Sequence, residues 1–410
     1  MIKRILALGS IFFCTAVAWS ILSATLFQRS NDSRTEHLKQ SVASTWGMAQ
    51  DQHALHALYR TTTISEDEET IDGQVHKKVK KHTVDVPINL DASTVDVKLE
   101  LSHRQKGLLW YSTYKVGFSA DYRLTNPSYQ SQNVIFVFPL PAKDAVYDDL
   151  QFQINGQPLA FTNSKSDAVG NSVLAPHETA LVHVSYRSQG LDSWRYTFGN
   201  EVSQIHDFHL TMHTDFPDID FPENTISPTN KTADANGWKL DWQYKNLISG
   251  YQIGMAMPEH LQPGPLAGQI SFFAPVSLFF FFFLMFLITT LRGIKMHPMN
   301  YFFLACAFFA FHLLLAYLVD HLSIHISFLI SSIVSIFLVI SYLRLVVDIR
   351  FAAIEAGLAQ FVYLVLFSYA FFFKGFTGLA VTIGSILTLF LVMQFTGRID
   401  WEERFKIQLS

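Results

Sequence analysis

The feature that most constrains this chain is where its apolar residues lie. One apolar segment, Ile5–Phe27, stands near the start. Five more follow: Ile270–Leu291, with the block Phe279–Phe283 at its centre, then Tyr301–Val319, Ile326–Leu343, Phe351–Phe373 and Thr377–Thr396. Residues 28–269 have ordinary polar sequence. A run of about 20 apolar residues crosses the hydrocarbon core as a helix. Six spans are therefore expected, with one large domain hung between the first and second. Half of the 410 residues are hydrophobic and 16% are charged, too few charges for a soluble chain of this length. The lipid bilayer is the partner this composition demands. A net charge of -4 without a basic patch gives no reason to expect nucleic acid.

Lys and Arg collect on the cytoplasmic side of short loops. Lys3 and Arg4 precede the first span, Arg292 and Lys295 follow the second, Arg344 and Arg350 follow the fourth, and Arg398, Arg404 and Lys406 follow the sixth. The alternate loops hold no such residue (Asp320–His325) or a single one, Lys374. Both termini are expected in the cytoplasm, and residues 28–269 outside. Ala16-Val17-Ala18 fits a small-x-small cleavage site. Apolar sequence continues beyond it to Phe27, so an uncleaved anchor is the expectation.

Residues 1–27 form that anchor, and 28–60 read as a stalk helix. Ser33 with Glu36 makes a capping box, Leu38, Val42, Trp46 and Ala49 recur at helical spacing, and Met48–Tyr59 reads as more helix. Residues 61–262 form the outer β-rich domain, 263–396 the five-helix bundle and 397–410 a cytoplasmic tail. In the outer domain short alternating segments follow one another, among them Val84–Ile88, Val95–Leu99, Tyr111–Leu124, Val134–Phe138, Leu181–Tyr186, His206–His213, Trp238–Trp242 and Tyr251–Met255. Asn155-Gly156 is a tight-turn pair. Many short strands with Asn, Gly and Pro between them argue an antiparallel β-sandwich. The fold class is α+β: six transmembrane helices and a β-sandwich-like domain. Glu66–Glu69 followed by Lys77, Lys78, Lys80 and Lys81 reads as a solvated hairpin. Both cysteines, Cys14 and Cys306, fall inside spans, so the outer domain is no disulfide scaffold.

No catalytic or phosphate-cradling motif stands out, and no cofactor is expected. His53, His56, His76 and His82 match no metal-ligand spacing. The first two, three apart on the expected helix, would permit a shared ion, but a solvated helix face is preferred.

Polar residues inside spans must find partners. At 1.5 Å per residue, His312, Gln360, Ser332, Ser335, Ser385 and Thr388 all fall about 12–17 Å into the bilayer. A hydrogen-bonded layer across the bundle centre is expected, acting as glue; a proton or solute pathway is the alternative. Glu355 lies shallower, in reach of Arg344 or Arg350. Asp320 and His321, beside His325, read as an interface cap, with a pH sensor or ligand contact as the alternative. His297-Pro298 starts the third span.

Met296-His297-Pro298-Met299-Asn300-Tyr301, the stretch from His312 to Asp320-His321, and Arg398-Ile399-Asp400-Trp401 resemble the bacterial inner-membrane CreD family. The stretch His209–Asn246 resembles it more loosely. Where family members carry a Gly-Pro-hydrophobic-Pro strand after the stalk helix, this chain has Trp46-Gly47 and then Met48–Tyr59, the mark of a divergent branch. The resemblance implies a protein of the inner membrane tied to a two-component regulon, colicin tolerance and envelope integrity, with no reaction assigned. Among the residues of these motifs, His297, Asp320, His321, Asp400 and Trp401 stand as candidates at the membrane interface. The reading that follows is a non-enzymatic envelope protein whose outer domain binds or senses an envelope partner. The alternative is a small transporter or channel using the midplane polar layer. The transporter reading is weakened because Pro275 is the only proline inside a span, whereas many transporters break paired helices.

Overall fold

Period-two alternation builds the strands between the first and second apolar runs, and the long apolar runs build the helices. A computed structural model describes the backbone of residues 2–397 apart from 32, 33, 72, 73, 108, 144, 164, 165, 200–202 and 374. It describes their side chains apart from 2–4, 26–31, 34–36, 64–71, 74–80, 203–205 and 395. The chain divides into two units, one of residues Leu38–Lys106 and Trp110–His260, the other of Met1–His37, Gly107–Leu109 and Leu261–Ser410.

The first unit follows the short helix α2 (Arg34–Trp46) with strands β1 (Gln50–His53), β2 (His56–Ile71), β3 (Gln74–Ile88), β4 (Leu90–Lys106), β5 (Leu109–Thr125), β6 (Gln132–Pro139), β7 (Asp148–Ile154) and β8 (Gln157–Pro158). Then come β9 (Phe161–Asn163), β10 (Asp167–Leu174), β11 (Thr179–Leu191), β12 (Ser193–Thr197), β13 (Ser203–Thr214), β14 (Asn230–Asp234), β15 (Gly237–Ser249) and β16 (Ile253–Ala256). They form an eight-stranded sheet ordered β14-β15-β13-β4-β5-β11-β7-β8, a five-stranded sheet β3-β2-β6-β10-β9 and a small sheet β1-β12-β16. Val95, Val97, Tyr122, Val182 and Phe208 of the large sheet share one buried core with Ala57, Val134, Phe136, Phe138 and Ala168 of the second. That face-to-face packing makes a β-sandwich. Each large apolar side chain so buried stabilises the fold by about 1.5–3 kcal/mol.

Most pairs are antiparallel, but β1 with β12 and β4 with β13 are parallel. Their partners lie far apart in sequence, which gives the chain the length a parallel crossover needs. Asn155 and Gly156 take φ of 50° and 76°, the left-handed pair of a type I′ hairpin turn, and join β7 to β8. The acidic and basic runs form the β2–β3 hairpin, whose register sets Asp67 opposite Lys78 and Glu68 opposite Lys77. The last strand begins at Ile253 rather than Tyr251.

The stalk helix expected to reach residue 60 ends at Trp46, and His53 and His56 lie on strands instead of one helix face. Gly47 has φ of 128°, and a Cβ there would stand 2.4 Å from the Gln189 carbonyl oxygen. The helix therefore stops where the backbone must turn against β11. Beyond it the inward residues are Gln50 and Gln52, both buried. Gln50 Nε2 donates to Ser188 Oγ and the Gln189 carbonyl, and Gln52 Nε2 to the His53 and Pro139 carbonyls. Alternation carried by glutamine leaves no hydrophobic trace in the sequence. Of the capping box, Ser33 lies outside the described residues.

Among its described residues the second unit holds six helices long and apolar enough to cross a membrane: α1 (Ile2–Asn31), α4 (Ala274–Leu291), α5 (Pro298–Leu318), α6 (Ile324–Val346), α7 (Phe351–Phe372) and α8 (Thr377–Thr396). Helix α3 (Pro263–Phe272) precedes α4, and the break at Phe273 falls just before Pro275, whose ring cannot continue the ladder. The packed core takes residues from α1 and α3 through α7. Helix α7 is irregular: Phe351–Ala356 and Phe361–Leu366 are π-helical, with Gly357–Gln360 α-helical between them. Nothing in the apolar pattern signalled those wide turns.

Candidate functional site

The six polar residues expected to share one layer fall into separate sets. Gln360 sits at the end of the α-turn between the two π segments of α7 and is fully buried. Its Nε2 donates to Ser335 Oγ on α6 at 2.8 Å, and Ser335 donates onward to the Ala307 carbonyl on α5 at 2.7 Å. This chain ties three spans together. Because the Ser335 proton is committed to Ala307, Gln360 must present its amide N–H to the serine. Its Oε1 is left without a hydrogen-bond partner among the described residues.

His312 does not join that chain. Residue 307 of α5 faces α6, whereas the His312 ring lies 5.7 Å from Trp19 of α1, 5.8 Å from Phe308 and 4.9 Å from Phe311. Neither ring nitrogen bonds a described residue. Trp19 is stacked on Phe309 at 4.5 Å and donates Nε1 to the Ser271 carbonyl on α3 at 2.8 Å. Ser332 and Ser385 donate to carbonyls of their own helices, Phe328 and Val381. Thr388 donates to Gly384 and accepts from the Tyr363 hydroxyl at 2.9 Å, which joins α8 to α7. The helix that carries each residue was legible in the sequence. Which face each side chain takes was not.

Glu355 pairs with Arg292, at the end of α4, in place of Arg344 or Arg350. It sits in the first π segment with its side chain mostly buried. Ser277 of α4 donates to the Tyr363 carbonyl inside the second π segment. Arg292 reads in the sequence only as a loop charge and not as the partner of Glu355. Ser277 and Tyr363 escaped the sequence reading, and a π turn has no composition signature. His297 caps α5: its Nδ1 accepts from the Met299 N–H at 3.2 Å, with Pro298 as the first helical residue. Asp320 and His321 form the turn after α5, where their N–H groups donate to the Tyr317 and Leu318 carbonyls. His325 lies 5.4 Å from Phe372. Asp400 and Trp401 lie outside the described residues.

The sheet-rich unit carries a groove of about 650 Å³ on the solvent face of its large sheet. Val97, Leu99, Val116 and Tyr186 point inward, so alternation turns Lys98, Lys115 and Arg187 outward. Gly117 lies opposite Arg187 in register and beside Lys98, whose Cβ would stand 3.9 Å from a Cβ at that glycine. Lacking a side chain, it lets a ligand approach the backbone. Arg187 pairs with Asp148 at 3.0 Å and also with Asp149; exposed pairs of this kind are worth under about 1 kcal/mol and open readily. Tyr147 walls the groove. Its hydroxyl accepts from the Ala142 N–H at 2.9 Å and donates to the Ala142 carbonyl at 2.7 Å, and burial pushes it up to about 12. It is a fixed post with no acid–base role near neutrality. Elsewhere in this unit His103 stands 5.2 Å from His260, which is stacked on Trp110 at 4.6 Å. Burial and then the His260 charge lower the His103 pKa. No group of three or more potential metal ligands occurs among the described residues.

The family model described as "Inner membrane protein CreD" matches residues 1–402. No curated protein sequence matches the chain. Two solved structures share limited likeness. A nutrient binding protein of Legionella pneumophila is 10% identical, covering 48% of this chain and 74% of its own, with a TM-score of 0.32. An M1 zinc metallopeptidase of Deinococcus radiodurans is 13% identical, covering 41% of this chain and 42% of its own, with a TM-score of 0.27.

Proposed function

We propose a function from one premise: the chain belongs to the CreD family of inner membrane proteins. It is a non-enzymatic, multi-pass protein of the bacterial inner membrane. Its outer sandwich recognises a hydrophilic segment of an envelope protein, and its helices anchor that domain in the bilayer. The observation that carries this reading is the groove over Gly117. Three cationic side chains from three adjacent strands, Lys98, Lys115 and Arg187, line it together with Glu100 and Asp148. A mixed-charge lining with an open backbone at its floor suits a polar chain segment better than a small apolar ligand, for which pockets are mostly apolar. The placement of Lys and Arg in the short loops supports both termini in the cytoplasm and residues 28–269 in the periplasm. The link to envelope stress follows from the family resemblance.

The test is photocrosslinking in living cells from Lys115 in the groove and, as a control, from Thr232 on the edge strand β14. One defined envelope protein captured from Lys115 and not from Thr232, and lost on Lys98→Glu, supports the assignment. Identical capture from both positions contradicts it.

A further inference from the structure

Helices α6 and α7 meet along a polar seam. On α6, Ser327, Ser331 and Ser335 recur every fourth residue, and all three are fully buried. Opposite them α7 presents Gln360, Leu364 and Ser368, again every fourth residue and again buried. Two contacts fix the alignment. Gln360 meets Ser335 at one end, and Phe328 lies 5.8 Å from Tyr369 at the other. Ser327 and Ser368 therefore share one level, with Ser331 and Leu364 between the two ends. Between Gln360 and Ser368, α7 runs through the wide π turn Phe361–Leu366.

Three polar atoms along this seam have no hydrogen-bond partner among the described residues: Ser331 Oγ, Ser368 Oγ and Gln360 Oε1. Ser331 lies one turn, about 6 Å, from Ser335, and Ser368 about 12 Å along α7 from Gln360. A hydrocarbon core supplies nothing to satisfy such groups, and buried polar atoms are paired almost without exception. Internal water is the ligand whose chemistry fits. It donates to an amide oxygen, exchanges with a hydroxyl in either sense, and bridges gaps of this length while making about three hydrogen bonds. At the end bearing the Asp320–Ser323 turn, Phe372 lies 5.2 Å from Phe328 and 5.1 Å from Tyr369, and these rings close the mouth of the seam.

We propose that the α6–α7 seam is a binding site for a short file of internal water, running from beneath the Phe328–Phe372 cap to Gln360 at the bilayer midplane. This inference is independent of the outer groove. It would supply half of the route that a proton or polar solute path needs.

The test uses the full chain in lipid bilayers with its glutamine side-chain nitrogens labelled. Magnetisation passed from water should reach the Gln360 amide at a rate comparable to that for exposed Gln269. The Gln360 signal is identified by its loss in Gln360→Leu. Gln52, buried and fully bonded within the sandwich, sets the rate for a dry amide. A Gln360 rate equal to that of Gln52 overturns the proposal. Ser331→Ala gives an independent reading. Removing one end of a water bridge should lower Tm by about 1–2 °C, the size of one lost hydrogen bond in a chain of this length. If Ser331 is dry and unpaired, the same change raises Tm, and that result also overturns the proposal.

Discussion

Gln360 donates to Ser335 at 2.8 Å across the α6–α7 interface, and Ser335 relays that bond to the Ala307 carbonyl. Gln360→Leu removes the first link and keeps volume similar. Interhelical bonds of this kind are worth about 0.6–2 kcal/mol, so unfolding in detergent should report a loss in that range. An unchanged midpoint would show that the bond does not hold the spans together.

His312 behaves oppositely. Its nitrogens bond no described residue and aromatic rings surround it. Replacing an unpaired polar group by an apolar one of similar shape is near neutral or stabilising. His312→Leu should therefore leave protein abundance and midpoint unchanged or raised. A protein that accumulates normally yet loses its envelope role would instead assign chemistry to this ring.

Gly47 stops the stalk helix. Gly47→Ala places a Cβ against the Gln189 carbonyl in a backbone conformation that only glycine adopts freely. The strain alone costs about 1–3 kcal/mol. The outer domain should unfold at a correspondingly lower denaturant concentration, with helix content retained. Full stability in this variant would mean that β1 is not docked through this turn.

The outer domain should weaken in mild acid. Burial lowers the His103 pKa below 6.5, with His260 adding to the effect. The unfolded chain then binds the proton more readily than the folded one. Stability is complete above about 6.5 and falls as pH drops toward the folded pKa. His103→Phe should flatten that acid limb. A limb unchanged by the substitution would move the sensitivity to other groups.

The apolar runs placed all six spans within a few residues, since span length depends on hydropathy alone. Alternation placed β4, β5, β6, β11 and β13 because Val, Tyr and Phe face inward there. It failed at β1, whose inward residues are Gln50 and Gln52. Composition gave the helices that carry His312 and Gln360 but not the rotation of either side chain about its helix. Rotation is set by how the helices pack and, on α7, by its π turns, so the pairing of Glu355 with Arg292 and of His312 with Trp19 left no trace in composition.

The central claim is that specificity resides in the outer sandwich. Its most direct test replaces residues 50–257 with an unrelated sandwich of equal length and joins the same α1–α2 and α3–α8 segments. Span insertion depends on hydrophobic length and flanking charge, which the exchange leaves alone, so the chimaera should be abundant and cross the membrane six times. Measured by restoration of envelope integrity in cells lacking the native protein, it should be inactive, because the groove over Gly117 is gone. Full restoration by an equally abundant chimaera would contradict the account and place the function in the helices.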